Sequence, residues 1–383
     1  MRKLSDTIER LARLRARPEG FQPATSSLQP LGRAGSNPGE LTGWYSKPSK
    51  PKGALPLVVV LHGCTQNAAG YDRGSGWSAL AEDYGFAVLY PEQRRSNNGN
   101  LCFDWFQKPD VTRGSGEVLS IREMIATMIA DHGVDARRVY VTGLSAGGAM
   151  ANSLLATYPE IFAGGAIIAG LPHGVATTVP EAFDRMRGHG LPEADRLQAL
   201  LAAASPHKGP WPTISIWQGT ADSTVSDRNA GALIDQWRGA LGVAARPERV
   251  ETVDGQERHI WVDGAGREVL DLFLVRGMGH GTPLDTQSGY GEAAPYMLEV
   301  GISSTLHIAR SWGIAASFDR TTQRPQATHA PKATSPATSS RTGHAGRDQA
   351  APAAAAATPT GAGRPEGVKD VIEAALRAAG LMK

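Results

Sequence analysis

The sequence predicts an α/β fold: a mostly parallel sheet with helices on both faces and one insertion that interrupts the alternation. Two observations predict it. Short β-branched runs alternate along the chain with segments of helical period, the pattern of strands joined by crossover helices. The first such run, Leu57, Val58, Val59, Val60 and Leu61, shows no in–out alternation, which suits a strand buried on both faces.

Residues 57–61 form the first firm strand. Residues 77–84 read as a helix closed by Gly85, and 86–90 as a second strand. Val118, Ile121, Ile125, Met128 and Ile129 line one face of a helix ending at Gly133. A third strand over 139–142 leads into a helix from about 147 to 157, and apolar strands follow at 165–169 and 213–217. A helix spans roughly 227–241. Between them, residues 171–211 carry proline, glycine and charge without a clean period and read as an insertion beside the site. Residues 258–262 and 268–275 flank Asp263, Gly264, Ala265 and Gly266, a hairpin signal, with 270–275 as the last main strand.

The body of the fold is thus expected over residues 41–318, preceded by a helical or irregular extension over 1–40. Residues 319–367 are rich in Ala, Pro and Thr with almost no large apolar side chain, and are expected to form a disordered tether. In the final segment, 368–383, Val368, Val371, Ile372, Ala375, Leu376 and Ala379 share one helical face. Such a short helix either docks on its own domain or a partner, or is a frayed end.

Composition excludes several function classes. With 39 Lys and Arg against 37 Asp and Glu, the formal charge of +2 gives no field to recruit nucleic acid. The longest apolar run, 55–61, is interrupted by Pro56 and is far too short to cross a bilayer, so a soluble protein is expected. Near the start, Leu4, Ile8, Leu11 and Leu14 stand among Asp6, Glu9 and Arg10 without the continuous apolar stretch of a secretory signal. A cytoplasmic location is therefore expected, and an extracellular one if a leader lies upstream of Met1. Two cysteines, Cys64 and Cys102, allow one bridge at most and no four-thiolate zinc site. Zinc-protease, phosphate-loop and dinucleotide motifs do not occur, so no cofactor is implied. Oligomeric state has no signal here.

The chemistry lies in Gly143, Leu144, Ser145, Ala146 and Gly147, a G-x-S-x-G pattern. Its setting matters more than the pattern, because it directly follows the strand at 139–142 and precedes a helix, as a nucleophile elbow requires. The other reading is a plain strand-to-helix turn with a capping serine. On the elbow reading the fold class becomes an α/β-hydrolase and Ser145 its nucleophile. The loop after the first strand, His62, Gly63 and Cys64, is where this fold supplies the second oxyanion donor, so the backbone N–H groups of Cys64 and Ala146 are expected to form the hole. The His62 side chain then has a structural role. His280 stands five residues beyond Val275 in the glycine-rich loop 277–281 and is the candidate base. Asp222, after the strand at 213–217, is the candidate acid that holds the imidazole, with Asp227 as the alternative and Asp254 closer to the hairpin than to a sheet end.

At this point the sequence resembles the polyhydroxyalkanoate depolymerases with an extracellular type 1 catalytic domain and their esterase relatives. The resemblance rests on residues 61–67, 90–93, 102–106, 139–148 and 277–280, and covers about 41–314. It implies Ser145, Asp222 and His280 as triad and Cys64 with Ala146 at the oxyanion hole, in agreement with the residues read one by one. It also implies a serine carboxylic ester hydrolase acting through an acyl-enzyme on hydroxyalkanoate oligomers or other short-chain esters, with a polymer or granule surface as the partner. Feruloyl and acetylxylan esterases look similar over the same stretches and are the alternative, together with a catalytically silent fold used for binding. The family places Trp105 and Phe106 near the cleft, and Trp217 ends the strand leading to Asp222. These three are expected to form an apolar wall, with core packing as the other reading of Trp217. The family's matching cysteines imply that Cys64 and Cys102 lie close enough to bridge.

Overall fold

In the computed structural model the chain divides into two units, Met1–Phe318 and Asp319–Lys383. The structure describes residues 28–316, all within the first. The expectations for the first residues, the tether and the final helix fall outside them.

Strands β1 (Gln29–Pro30), β2 (Thr42–Ser46), β3 (Leu55–Leu61), β4 (Ala87–Glu92), β5 (Val134–Leu144), β6 (Gly164–Ile168), β7 (Thr213–Gly219), β8 (Arg249–Val253), β9 (Gln256–Val262) and β10 (Glu268–Val275) form one sheet. Their order is β1-β2-β4-β3-β5-β6-β7-β10-β9-β8. The six strands from β4 to β10 run parallel, and each edge carries an antiparallel pair. A small parallel pair, β11 (Thr282–Leu284) with β12 (Met297–Glu299), stands apart.

Helices α1 (Ala68–Ser75), α2 (Trp77–Tyr84), α3 (Gly116–His132), α4 (Ala146–Thr157), α5 (Val179–Met186), α6 (Ala194–Ala204), α7 (Arg228–Leu241) and α8 (Ser304–Ser311) cover both faces. Because successive side chains of a strand point to opposite faces, β3 divides its apolar run between two cores. Leu57, Val59 and Leu61 join one core with residues of α3, α4, α6 and α7, while Val58 and Val60 join another with residues of α1, α2 and α8. Burial on both sides explains why the run has no polar alternation.

Three departures from the sequence reading have physical causes. Residues 28–40, assigned to an extension, pack on the sheet: Leu31 N donates to Gly43 O, and Ser36 Oγ and Asn37 N donate to Glu123. Residues 171–211 hold two helices, and Leu197 and Leu201 of α6 are core residues. Besides this apolar face, the insertion is anchored by buried polar groups. His173 N donates to Gln236 Oε1 at 2.9 Å, Gln236 Nε2 returns a bond to His173 O at 3.0 Å, and His173 Nδ1 meets Ser153 Oγ at 3.0 Å. Burial pushes the His173 pKa down to about 4, so the ring is a neutral structural group.

The third departure is Trp217. It shares a face of β7 with Ser215, and its β10 neighbour Phe273 stacks on it with ring centroids 3.8 Å apart. Its indole N–H donates to Ser215 Oγ, and the side chain is fully buried. With Asp271, Phe273, His307 and Trp312 it borders a cavity of about 410 Å³ whose lining includes none of Ser145, Asp222 and His280. Trp217 is therefore a core residue, as the second of its two readings has it, and among the described residues lines no cavity shared with Ser145, Asp222 or His280. Replacing it by Leu should lower stability by about 2–4 kcal/mol, read as a fall in the unfolding midpoint. KM for a soluble ester should stay unchanged in the folded protein; a large rise in KM would restore the cleft role.

Candidate active site

Parallel strands end on one side of the sheet, so the loops after β3, β5, β7 and β10 emerge together. Each carries one expected group. Ser145 follows β5 and stands at the N-cap of α4 with a positive φ, φ 58° and ψ −119°, which a serine adopts only under constraint. Its N–H donates to Ile168 O at 2.9 Å, and the next five helical residues are buried. Only a glycine at 147 permits this turn, since a Cβ there would overlap the carbonyl oxygens of Leu61 and His62.

That close approach sets the first turn of α4 against the loop after β3. In this loop Thr65 N donates to Asn100 O and Gln66 N to Gly63 O. The N–H groups of Cys64 and Ala146 meet no acceptor among the described residues, as an oxyanion hole requires of its donors. His62 is almost fully buried. Its Nδ1 lies 2.8 Å from Gly63 O and its Nε2 accepts from Gln93 N at 3.2 Å, so the ring is a neutral strut whose pKa is lowered by burial.

Asp222 and His280 come together although 58 residues separate them: His280 Nδ1 lies 2.7 Å from Asp222 Oδ2. The other Asp222 oxygen accepts N–H bonds from Thr224 at 2.8 Å and Val225 at 2.9 Å, which fixes the carboxylate in its turn. Gln218 Nε2 stands 3.4 Å from Oδ2. With Nδ1 donating to the carboxylate, the His280 Nε2 is left as the proton acceptor. Neither alternative acid reaches His280: Asp227 stands at the start of α7 beside Ser226, and Asp254 pairs with His307. The two loops are pinned by Ala221 N to Met278 O, Thr220 N to Val275 O, and Gly277 N to Thr220 Oγ1. Gly219 makes this possible, because a Cβ there would overlap the carbonyl oxygens of Met278 and Gly279.

Cys64 and Cys102 form a disulfide with Cα atoms 4.2 Å apart, joining the loop after β3 to the segment that carries Trp105 and Phe106. Those two rings meet edge to face at 5.4 Å. Trp105 is all but covered by the core on the α3 and α4 side, and Phe106 keeps more surface. Sequence reasoning missed Gln218 and Glu117. Both are polar residues in buried positions, and neither belongs to a motif with a local signature. Among the described residues no three metal-ligating side chains converge, and no helix is long and apolar enough to cross a membrane.

A family model described as esterase PHB depolymerase matches residues 43–248. Poly(3-hydroxyalkanoate) depolymerase C of Paucimonas lemoignei is 42% identical over 296 residues, 75% of this chain and 70% of that one. Feruloyl esterase B of Talaromyces stipitatus is 30% identical over 269 residues, 68% of this chain and 74% of the other. Among solved structures, the acetyl xylan esterase from Aspergillus awamori is similar with a TM-score of 0.64 and 26% identity, covering 76% of this chain and all of that one.

The tight packing at Gly219 generates a test. Gly219→Ala should push the Met278 and Gly279 backbone away and move His280, so kcat for a soluble ester should fall about 100-fold. A near-normal kcat in folded Gly219→Ala would show that the contact does not set the position of the imidazole.

Proposed function

Because the chain belongs to the esterase PHB depolymerase family and is a serine carboxylic ester hydrolase of the α/β-hydrolase fold, we propose that Ser145, His280 and Asp222 are its catalytic triad, with the N–H groups of Cys64 and Ala146 as the oxyanion hole. The observation that carries this reading is the Asp222–His280 bond, formed across 58 residues at the same sheet end as the strained Ser145 turn. The chemistry follows from it. Ser145 Oγ attacks the ester carbonyl carbon while His280 Nε2 takes its proton, and Asp222 stabilises the imidazolium through Nδ1–H. The carbonyl oxygen becomes an oxyanion held by the two free N–H groups. Collapse of the tetrahedral intermediate breaks the ester C–O bond, and His280 returns the proton to the departing alcohol. Water, deprotonated by the same imidazole, then releases the acid from Ser145.

The substrate we propose is an oligomer of a short 3-hydroxyalkanoate, since the relative named for poly(3-hydroxyalkanoate) shares 42% identity against 30% for the feruloyl esterase. Phe106, half-buried beside Trp105 on the bridged segment, supports an apolar contact to the acyl or alcohol part. The bridge itself supports a place of action outside the cytoplasm, because disulfides persist in oxidising compartments. Alkylation of thiols before lysis tests this: recovery of both cysteines alkylated would return the protein to a reducing compartment.

Ser145→Ala should lose covalent labelling by an organophosphonate and lower ester turnover by about 1,000-fold or more, and Asp222→Asn should cost a similar factor. Labelling that survives Ser145→Ala would place the nucleophile elsewhere. Initial rates on 3-hydroxybutyrate trimer, acetylated xylan and methyl ferulate should rank the trimer first by at least about tenfold in kcat/KM. A higher value on either carbohydrate-type ester would transfer the substrate class to the feruloyl and acetylxylan relatives.

A further inference from the structure

Beneath the proposed oxyanion loop lies a buried carboxyl that the reaction does not use. Glu117, in the first turn of α3, is about 1% exposed, and both of its oxygens accept N–H bonds. Oε1 accepts from Gln93 Nε2 at 2.5 Å, and Oε2 from Asp104 N at 3.0 Å. Gln93 is itself a junction. Its backbone N–H donates to His62 Nε2, and its side-chain nitrogen also donates to Cys102 O at 3.1 Å. Arg94 N and Asn97 Nδ2 donate to its oxygen, which settles the amide orientation.

Each of these partners leads toward the oxyanion donors. His62 is two residues from Cys64. Cys102 is bonded to Cys64 through sulfur, and Asn100 O receives the Thr65 N–H at 2.6 Å. Asn98 closes the same segment on itself, donating to Asp104 Oδ1 and accepting from Cys102 N. The loop that supplies one oxyanion N–H therefore rests on residues 98–104, and that segment rests on Glu117 and Gln93.

We propose that Glu117 is a positioning residue for the oxyanion hole, holding the Cys64 N–H in line through Gln93 and the 102–104 segment. The inference rests on the assignment of Cys64 as an oxyanion donor. The need for a carboxyl follows from the count of donors: two N–H groups point at Glu117, and only a carboxyl has an acceptor for both in either protonation state. Burial, with Asp104 and Asp110 adding to it, pushes the Glu117 pKa well above the usual carboxylate range. An amide at this position must present its own NH₂ to one of the two donors, leaving a buried pair of donors face to face.

The experiment compares full-length wild type, Ser145→Ala, Glu117→Gln, Gln93→Met and the Gln93→Met/Glu117→Gln double variant. Two substrates are used: a short-chain nitrophenyl ester and its thionoester, in which sulfur replaces the carbonyl oxygen. Sulfur accepts hydrogen bonds weakly, so the ratio of ester to thionoester rates reports how well the hole is aligned. Glu117→Gln should lower kcat about 10- to 100-fold with KM within about twofold. The ester-to-thionoester ratio should fall about tenfold with it, and the unfolding midpoint confirms that folded proteins are compared. Gln93→Met should act in the same direction, and the double variant should be worse than either single by less than about threefold, because both act through one segment. Unchanged kcat and ratio in folded Glu117→Gln, or a lower kcat with an unchanged ratio, would overturn the proposal. Gln93→Met decides by the same criteria if Glu117→Gln does not fold. Turnover that persists in Ser145→Ala would instead sink the triad reading; an inactive Ser145→Ala beside a normal Glu117→Gln would sink this inference alone.

Discussion

The site depends on how closely the first turn of α4 approaches the end of β3. With no side chain at Gly147, the backbone there lies against the carbonyl groups of Leu61 and His62, so the N–H of Ala146 and the loop bearing Cys64 are brought to the same place. The approach goes with a positive φ at Ser145, a conformation that costs about 1–3 kcal/mol. The surroundings hold it there: α4 is buried along its whole length, and Ser145 N is tied to Ile168 O. A strained turn persists only where the surrounding structure over-determines it.

A second close approach, at Gly219, does for Asp222 and His280 what Gly147 does for Ser145. The loops after β7 and β10 touch backbone to backbone, which is possible because β7 and β10 are parallel neighbours with matched register through Val275 and Gly219. Asp222 is then held by two backbone N–H bonds before it meets His280, so its orientation does not depend on the histidine. The geometry of the candidate site is thus set mainly by backbone contacts and hydrogen bonds, with little reliance on flexible side chains.

On the other side of Ser145 the arrangement is different. The loop after β3 makes few backbone bonds of its own and is held by a disulfide to Cys102, by the neutral ring of His62 and by the Gln93–Glu117 pair. These are buried polar groups with nearly every donor and acceptor matched, the condition under which such groups specify a single arrangement. The same logic recurs away from the site, where Gln236 and Ser153 hold the His173 loop. The loop after β3 and the turn at His173 are held by such pairs, whereas the strands and long helices are decided by apolar burial.

That division explains what was legible. The unalternated run at 57–61, the helical stripe ending at Gly133 and the hairpin around Asp263 each carry a local period or turn signal, and each is found in the structure. The G-x-S-x-G setting and the order of Ser145, Asp222 and His280 are local patterns too, so the candidate groups could be named before their positions were known. The two helices within 171–211 are hard to read because Pro180, Gly188, Gly190 and Pro192 break the segment into short pieces, so the apolar face of Leu197, Leu200, Leu201 and Ala204 repeats over few turns. Trp217 has two readings in the sequence, cleft wall and core packing, because it stands near the end of the strand leading to Asp222; which side of the sheet it faces depends on the β7–β10 register, which places Phe273 against it. Sequence alone determined the residue types, their order and the elements that carry them, since these follow from spacing of a few residues. Only the tertiary structure decided which of Asp222, Asp227 and Asp254 meets His280, and that Glu117 lies beneath the Cys64 loop, because those contacts join residues separated by tens of positions and are set by how strands pair.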